Sequence, residues 1–271
     1  MKHTFCIAIT IVASLLTACT AYYHPDAVDP TNLHQLQSMT QESDNGSLFG
    51  AKMGQLRVKA LQDTAMSLGA QGGLAWASIN LNNNLEKDKI QLETIFNFNG
   101  MMLSHGVLPP VLAQGDNSLN LDDPDTIRIA DKTYKIVQQA RFATTPPNWR
   151  EYLWQSFDKP ELPNKMLLPR NSEELKVWSK AIQTGWDKGV QQSTTIFQQN
   201  LARLKRDYQG MILYRRLLQE HKISPPFVSR TELGITGDGN DMRVNDQVLR
   251  ITEHPQLQTD SSDWRAIVVK E

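Results

Sequence analysis

Cys19 is the residue whose neighbours define its chemistry best. Leu16-Thr17-Ala18-Cys19 places an aliphatic residue and two small ones directly ahead of a cysteine. This is the pattern of a bacterial lipobox. Its thiol is alkylated by a diacylglyceryl group before cleavage leaves the cysteine as the new N-terminus. Upstream, Met1-Lys2-His3-Thr4 carries one firm positive charge, and the twelve residues Phe5 to Leu16 are uncharged and almost wholly apolar. Twelve helical residues reach only about 18 Å, against roughly 30 Å of hydrocarbon in a bilayer. A charged start, a short apolar run and small residues at the cut describe a secretory signal peptide over residues 1–18. The bland alternative is an ordinary signal peptide containing a chance cysteine, but position, small residues and thiol agree on the lipobox.

The covalent lipid then takes over as membrane attachment. One acyl chain holds a protein only marginally, whereas a mature bacterial lipoprotein carries three. Thr20 is not acidic; an aspartate there would favour retention in the inner membrane, so a periplasm-facing position on the outer membrane is expected. Cys6 leaves with the signal peptide and Cys19 becomes a thioether. The mature chain therefore has no free thiol, disulfide or thiolate metal ligand.

Other residues with chemical potential do not converge. Ser156 and Lys159 fit S-x-x-K, and Ser43-Asp44-Asn45 spells S-D-N. In penicillin-recognising enzymes the S-D-N follows the nucleophile and is joined by K-T-G, and neither condition is met. His24, His34, His105, His221 and His254 are scattered, with no H-E-x-x-H. The acidic stretches GDNSLNLDDPD and GDGNDMR lack the glycine and closing glutamate of an EF-hand loop. Arg203, Lys205, Arg206, Arg215 and Arg216 form a basic segment, read either as a solvated helix face or as a contact for an acidic partner. No catalytic residue, metal site or cofactor is expected.

The elements that carry these residues follow from periodicity. Removing residues 1–18 leaves 253 of 271 residues, enough for one large domain or two modest ones. The net charge moves from −1 to −2 with the loss of Lys2, which argues against a nucleic-acid surface spread over the whole protein. Residues 19–50 are polar and proline-containing and read as a flexible acylated tether. Residues 51–271 read as a single α+β domain. From Ala51 to Phe96 the apolar spacing is helical, interrupted by Gly69, Gly72 and Gly73, which mark a bend or a close helix crossing. Between Pro109 and Phe142 the period is two, with Asp131-Lys132 at the expected turn. A short helix starts near Asn148, with Trp149, Leu153 and Trp154 available for burial. Asn171 and the acidic pair Glu173-Glu174 then open a helix running to about His221, about 75 Å long. After Pro225-Pro226 the strand period returns, with Asn245-Asp246 at the expected turn.

Residues 127–136 and 242–251 resemble each other, and each segment follows a His and then a Pro-Pro pair: His105 with Pro109-Pro110, and His221 with Pro225-Pro226. Units 51–142 and 171–253 are either a duplicated helix-then-hairpin or two amphipathic hairpins that simply look alike. The expected architecture is long antiparallel helices packed together, with the two hairpins sharing one small antiparallel sheet.

LARLKRDYQGMILYRRLL, QQARFATTPPNWREYLW, LGITGDGNDMRVNDQVLRIT and the closing DWRAIVV together resemble the DotC family, the lipoproteins of type IVB secretion systems. Their relatives in IncI-type conjugative plasmids are called TraI lipoproteins. The likeness runs from about Leu56 to Val269. It implies a structural subunit of an outer-membrane core complex that acts with a DotD-like lipoprotein to bring a DotH-like, secretin-related partner to the outer membrane, in a multi-copy ring and without direct nucleic-acid contact. The acylated cysteine of the family corresponds to Cys19. Effector secretion and plasmid conjugation are both open. A periplasmic lipoprotein hydrolase would need titratable residues converging in a cleft. A solute-binding lipoprotein would need two α/β lobes, against which the long 172–221 pattern speaks.

Overall fold

In the computed structural model, residues 28–41 and 54–265 are described. Two helices form the frame: α2 (Gln55–Lys87) and α5 (Ser172–Gln219). At 1.5 Å per residue the 48-residue α5 is about 72 Å long. Asn171 caps it by accepting from the Glu174 amide, and Glu173 and Glu174 sit in its first turn, as the spacing predicts.

The helices cross through glycine. A Cβ on Gly69 would strike the Ile182 carbonyl, and one on Gly185 the Met66 carbonyl. Likewise Gly73 faces the Trp186 carbonyl and Gly189 that of Ala70. Adding 116 to Met66, Gly69, Ala70 and Gly73 gives Ile182, Gly185, Trp186 and Gly189, so each contact is returned by its counterpart. The same offset relates His105 to His221, both at positive φ (62° and 57°), and Pro109-Pro110 to Pro225-Pro226. The Gly69 to Gly73 stretch is thus a close crossing.

Contacts climb in the same direction on both helices: Arg57 meets Glu174, Gly69 meets Ile182, and Gly73 meets Trp186. The expected antiparallel pair is therefore a parallel one. The physical reason is the connection. Antiparallel neighbours are joined by loops of about 2–8 residues, whereas residues 88–171 carry the chain back to its starting end before α5 begins.

Helix α1 (Leu33–Gln37) lies within the segment expected to be a tether. Its Leu36 is buried, and the Trp178 indole donates to the Leu36 carbonyl at 2.8 Å. Together with Leu61, Ala65, Leu68 and Ile182 these form the first core cluster. Helix α3 (Lys89–Ile95) continues from α2. Helix α4 (Trp149–Leu153) has the reciprocal cap of Asn148 and Glu151. Trp149 and Leu153 are buried with Val111, Leu204 and Met211, but Trp154 stays exposed.

Strand β1 (Val107–Leu108) pairs with β4 (Arg141–Phe142), β2 (Val111–Asp123) with β3 (Thr126–Gln138), and β5 (Phe227–Gly237) with β6 (Met242–Glu253). The α+β class holds, with a long helix against small antiparallel sheets. The two hairpins nevertheless form separate two-stranded sheets. The base of the first seats on α5: Leu112, Tyr134 and Ile136 pack around Tyr214 and Leu217, and Gly210 admits the Leu112 backbone. The second follows α5 and shares no ladder with the first.

Both expected turns lie inside strands. The first hairpin turns at Pro124-Asp125, where Asp123 Oδ1 accepts from the Asp125 amide at 2.9 Å. Asp131 and Lys132 sit mid-strand in β3. The second turns over Asp238–Asp241, where Asp238 accepts from the amides of Asn240 and Asp241. Asn245, at φ 58°, falls where the β6 register shifts, so its turn-like conformation makes a bulge.

Candidate functional site

Leu16, Thr17, Ala18 and Cys19 lie outside the described residues, as do Ser43, Asp44 and Asn45. The basic segment is fully described, and the fold divides it. Arg206 turns onto its neighbour: its Nε and Nη2 donate to Asp207 Oδ1 at 2.9 and 2.8 Å. The Tyr152 hydroxyl donates to Asp207 Oδ2 at 3.2 Å, and the Arg203 guanidinium lies 5.2 Å over the Tyr152 ring. Phe98 stacks on Tyr152 at 6.0 Å and meets Tyr208 edge-on at 5.2 Å. Burial, reinforced by the Asp207 charge, pushes the Tyr152 phenol up to about 12. It therefore stays protonated and serves as a fixed donor. This aromatic box tethers α4 to α5.

Arg216 donates to Gln114 at 2.9 Å and faces Glu220 at 4.0 Å, binding the first hairpin to α5. Lys205 and Arg215 are exposed and have no ion pair among the described residues. Ten residues of helix separate them by about 15 Å along the axis and about 80° around it. The five cations are thus not one continuous face, because packing uses three of them. Lys159 of the S-x-x-K string pairs with Asp29 at 3.3 Å. Among the described residues no group of three or more His, Cys, Asp or Glu could hold a metal.

What the sequence reading did not single out is the outer part of the hairpins. Cross-strand partners share a face of a sheet. Leu119 pairs with Ile129 and Leu121 with Ile127 near the first turn. Ile235 pairs with Val244 and Gly237 with Met242 near the second. All seven apolar side chains are 54–71% exposed. Each apolar face ends in an acidic turn, Asp123 and Asp125 in one, Asp238 and Asp241 in the other. Every strand in a two-stranded sheet is an edge, so backbone groups stand open beside these side chains. The signal was present as Leu-x-Leu and Ile-x-Ile in the first hairpin, but alternation alone reads as an inward face.

A cleft of about 460 Å³ opens at the hairpin bases between His105, Val107, Tyr214, Pro225 and Val228. The Tyr214 hydroxyl is buried there without a hydrogen-bond partner among the described residues, and burial pushes its phenol up to about 12. Deeper toward the start of α5, the Arg57 guanidinium grips Glu174 at 2.6 and 2.7 Å. That hydrogen bonding holds the Glu174 carboxyl below its ordinary range against the opposing effect of burial. Among the described residues neither arrangement brings a nucleophile, a base and an oxyanion donor together.

Residues 55–266 match the family described as type IV secretory system, conjugal DNA-protein transfer. The chain belongs to this family. The match spans 212 of 271 residues, beginning at the first residue of α2 and taking in both long helices and both hairpins. Membership makes it a conjugation-related type IV secretion protein, involved in conjugal transfer. No curated protein matches the chain. No helix among the described residues is long and apolar enough to cross a membrane.

Proposed function

We propose that this chain is a non-enzymatic, lipid-anchored subunit of the outer-membrane core of a type IVB-like conjugation or secretion machine, in the manner of DotC. Acylation at Cys19 holds it to the outer membrane. The helical frame then presents two β-arms to neighbouring proteins, a DotD-like lipoprotein and a DotH-like, secretin-related partner, in a multi-copy ring. The observation that carries this reading is the pair of hairpins whose apolar outer faces and open edges nothing among the described residues covers. Edge strands are templates for pairing with another protein. A seven-residue apolar display is otherwise a liability for a periplasmic protein, so a protein partner is its natural use. The acidic turns at both tips argue against burial of these arms in lipid, where a carboxylate is costly.

The architecture is not the pair of α/β lobes that a solute-binding lipoprotein would show. Family membership supports the transfer role. The test is a detergent pull-down from transfer-competent cells, with the wild-type chain and with Ile129→Ser combined with Val244→Ser. The wild type should recover a DotD-like and a DotH-like protein, and the double variant should lose at least one while remaining folded. Recovery of neither by the wild type would overturn the proposal and favour the binding-protein reading.

A further inference from the structure

The structure supplies a scale for the anchor. The Pro30 carbonyl packs at Gly72, which also faces the Trp186 ring. The described chain therefore begins at the level of Trp186 on α5. From Trp186 the start of α5 is 14 residues away and its end 33, or about 21 and about 50 Å. Cys19 precedes Val28 by nine residues, which span at most about 32 Å when fully extended. A lipid on Cys19 can reach a bilayer lying at the start of α5 but not one beyond its far end, where the hairpins leave.

Next to α1 and on this near half of α5 lies an open groove of about 830 Å³, lined by Gln37, Leu175, Lys176, Ser179, Lys180 and Gln183 among others. Among the described residues its lining contains no carboxylate. Lys176 and Lys180 stand one helical turn apart, both exposed, and neither has an ion pair among the described residues. Leu175 supplies an apolar wall and Ser179 a hydroxyl donor beside the two ammonium groups. Two cations, hydroxyls and an apolar wall match a phosphodiester joined to an acyl chain.

We propose that this groove takes the headgroup of an anionic phospholipid from the bilayer that holds the Cys19 acyl chains. The α1 side of the body thereby faces the membrane while both hairpins project into the periplasm. The proposal rests on the acylation reading and adds to it an orientation and a lipid preference.

The test uses the full acylated chain in vesicles, with a nitroxide at Thr184→Cys on the groove or at Asn240→Cys on the second hairpin turn. Relaxation by a trace of nickel-chelating lipid, present in both, is read in phosphatidylcholine vesicles with and without phosphatidylglycerol. Two lysines beside an anionic surface favour it roughly thirtyfold. The groove label should therefore be relaxed strongly only with phosphatidylglycerol, and Lys176→Gln with Lys180→Gln should abolish that difference. The hairpin label should stay unrelaxed in both. Equal relaxation of the groove label in both compositions would overturn headgroup recognition, leaving proximity alone. No relaxation in either would mean that something other than lipid covers the groove. Strong relaxation of the hairpin label would overturn the orientation. Flotation of the protein with the vesicles reports acylation separately, so failure of the groove and failure of the anchor give different results.

Discussion

Replacing Gly73 or Gly189 by alanine probes the frame on which the rest of the fold depends. In an isolated helix either change would stabilise by about 1 kcal/mol, because alanine loses less conformational freedom than glycine. Here a Cβ on Gly73 would sit 2.5 Å from the Trp186 carbonyl oxygen, where ordinary contact needs at least 3.4 Å. The helices must part by roughly 0.9 Å, and a gap of 0.5–1 Å forfeits a quarter to a half of the dispersion between facing atoms. The loss falls on Leu68, Trp178, Ile182 and Trp186, which pack around the crossing. Overpacking and lost contact together cost about 2–4 kcal/mol, so the net effect is destabilisation by about 1–3 kcal/mol. For a chain of this size that lowers the melting temperature by about 3–10 °C. Gly100→Ala is the control, since a Cβ there meets nothing within 4 Å, and it should be neutral. Urea unfolding followed by circular dichroism measures all three. Because the contacts are returned at an offset of 116, Gly73→Ala and Gly189→Ala should cost similar amounts. If either raised stability as it would in a solvent-exposed helix, the close parallel crossing would be refuted.

The Arg57–Glu174 pair predicts a pH dependence. Glu174 has its carboxyl held low in the folded state, so its contribution is present above the ordinary glutamate value of about 4.3 and is lost as pH falls below it. Arg57→Ala should cost about 3 kcal/mol at neutral pH, and the gap between variant and wild type should narrow as pH falls below about 4.3, leaving the share Arg57 contributes by donating to the Met166 and Leu168 carbonyls. A constant difference down to pH 3 would contradict that linkage. Tyr214→Phe removes a buried hydroxyl that has no partner among the described residues and should leave stability unchanged or raise it by about 1 kcal/mol. A loss above about 1 kcal/mol in the same urea assay would show that the hydroxyl is bonded in solution.

Legibility in the sequence followed the range of the physics involved. The 172–219 helix was readable because its cap, acidic first turn and three-four spacing act within a few residues. The Gly69 to Gly73 crossing was readable as an alternative to a bend. The relative direction of α2 and α5 was not, since periodicity has no sense of direction and the 88–171 connection decides it. The turns were misplaced because Asp131-Lys132 and Asn245-Asp246 carry turn-forming residues, yet cross-strand pairing holds them in strands. Asp-Pro-Asp at 123–125 was the stronger signal. Helix α1 was missed because a single buried leucine in a polar stretch leaves no pattern. The basic segment looks like one unit in the sequence, but its division depends on the separate approach of Asp207, Tyr152 and Gln114.

In the proposed role, fatty chains on Cys19, with the hairpin arms they position, give this protein its place in a transfer machine. Intact mass of the N-terminal peptide from the membrane fraction of transfer-competent cells tests it most directly. The expected result is a chain beginning at Cys19 and carrying a diacylglyceryl thioether, with Cys19→Ser abolishing both the modification and the membrane association. A water-soluble chain with an unmodified cysteine would contradict it.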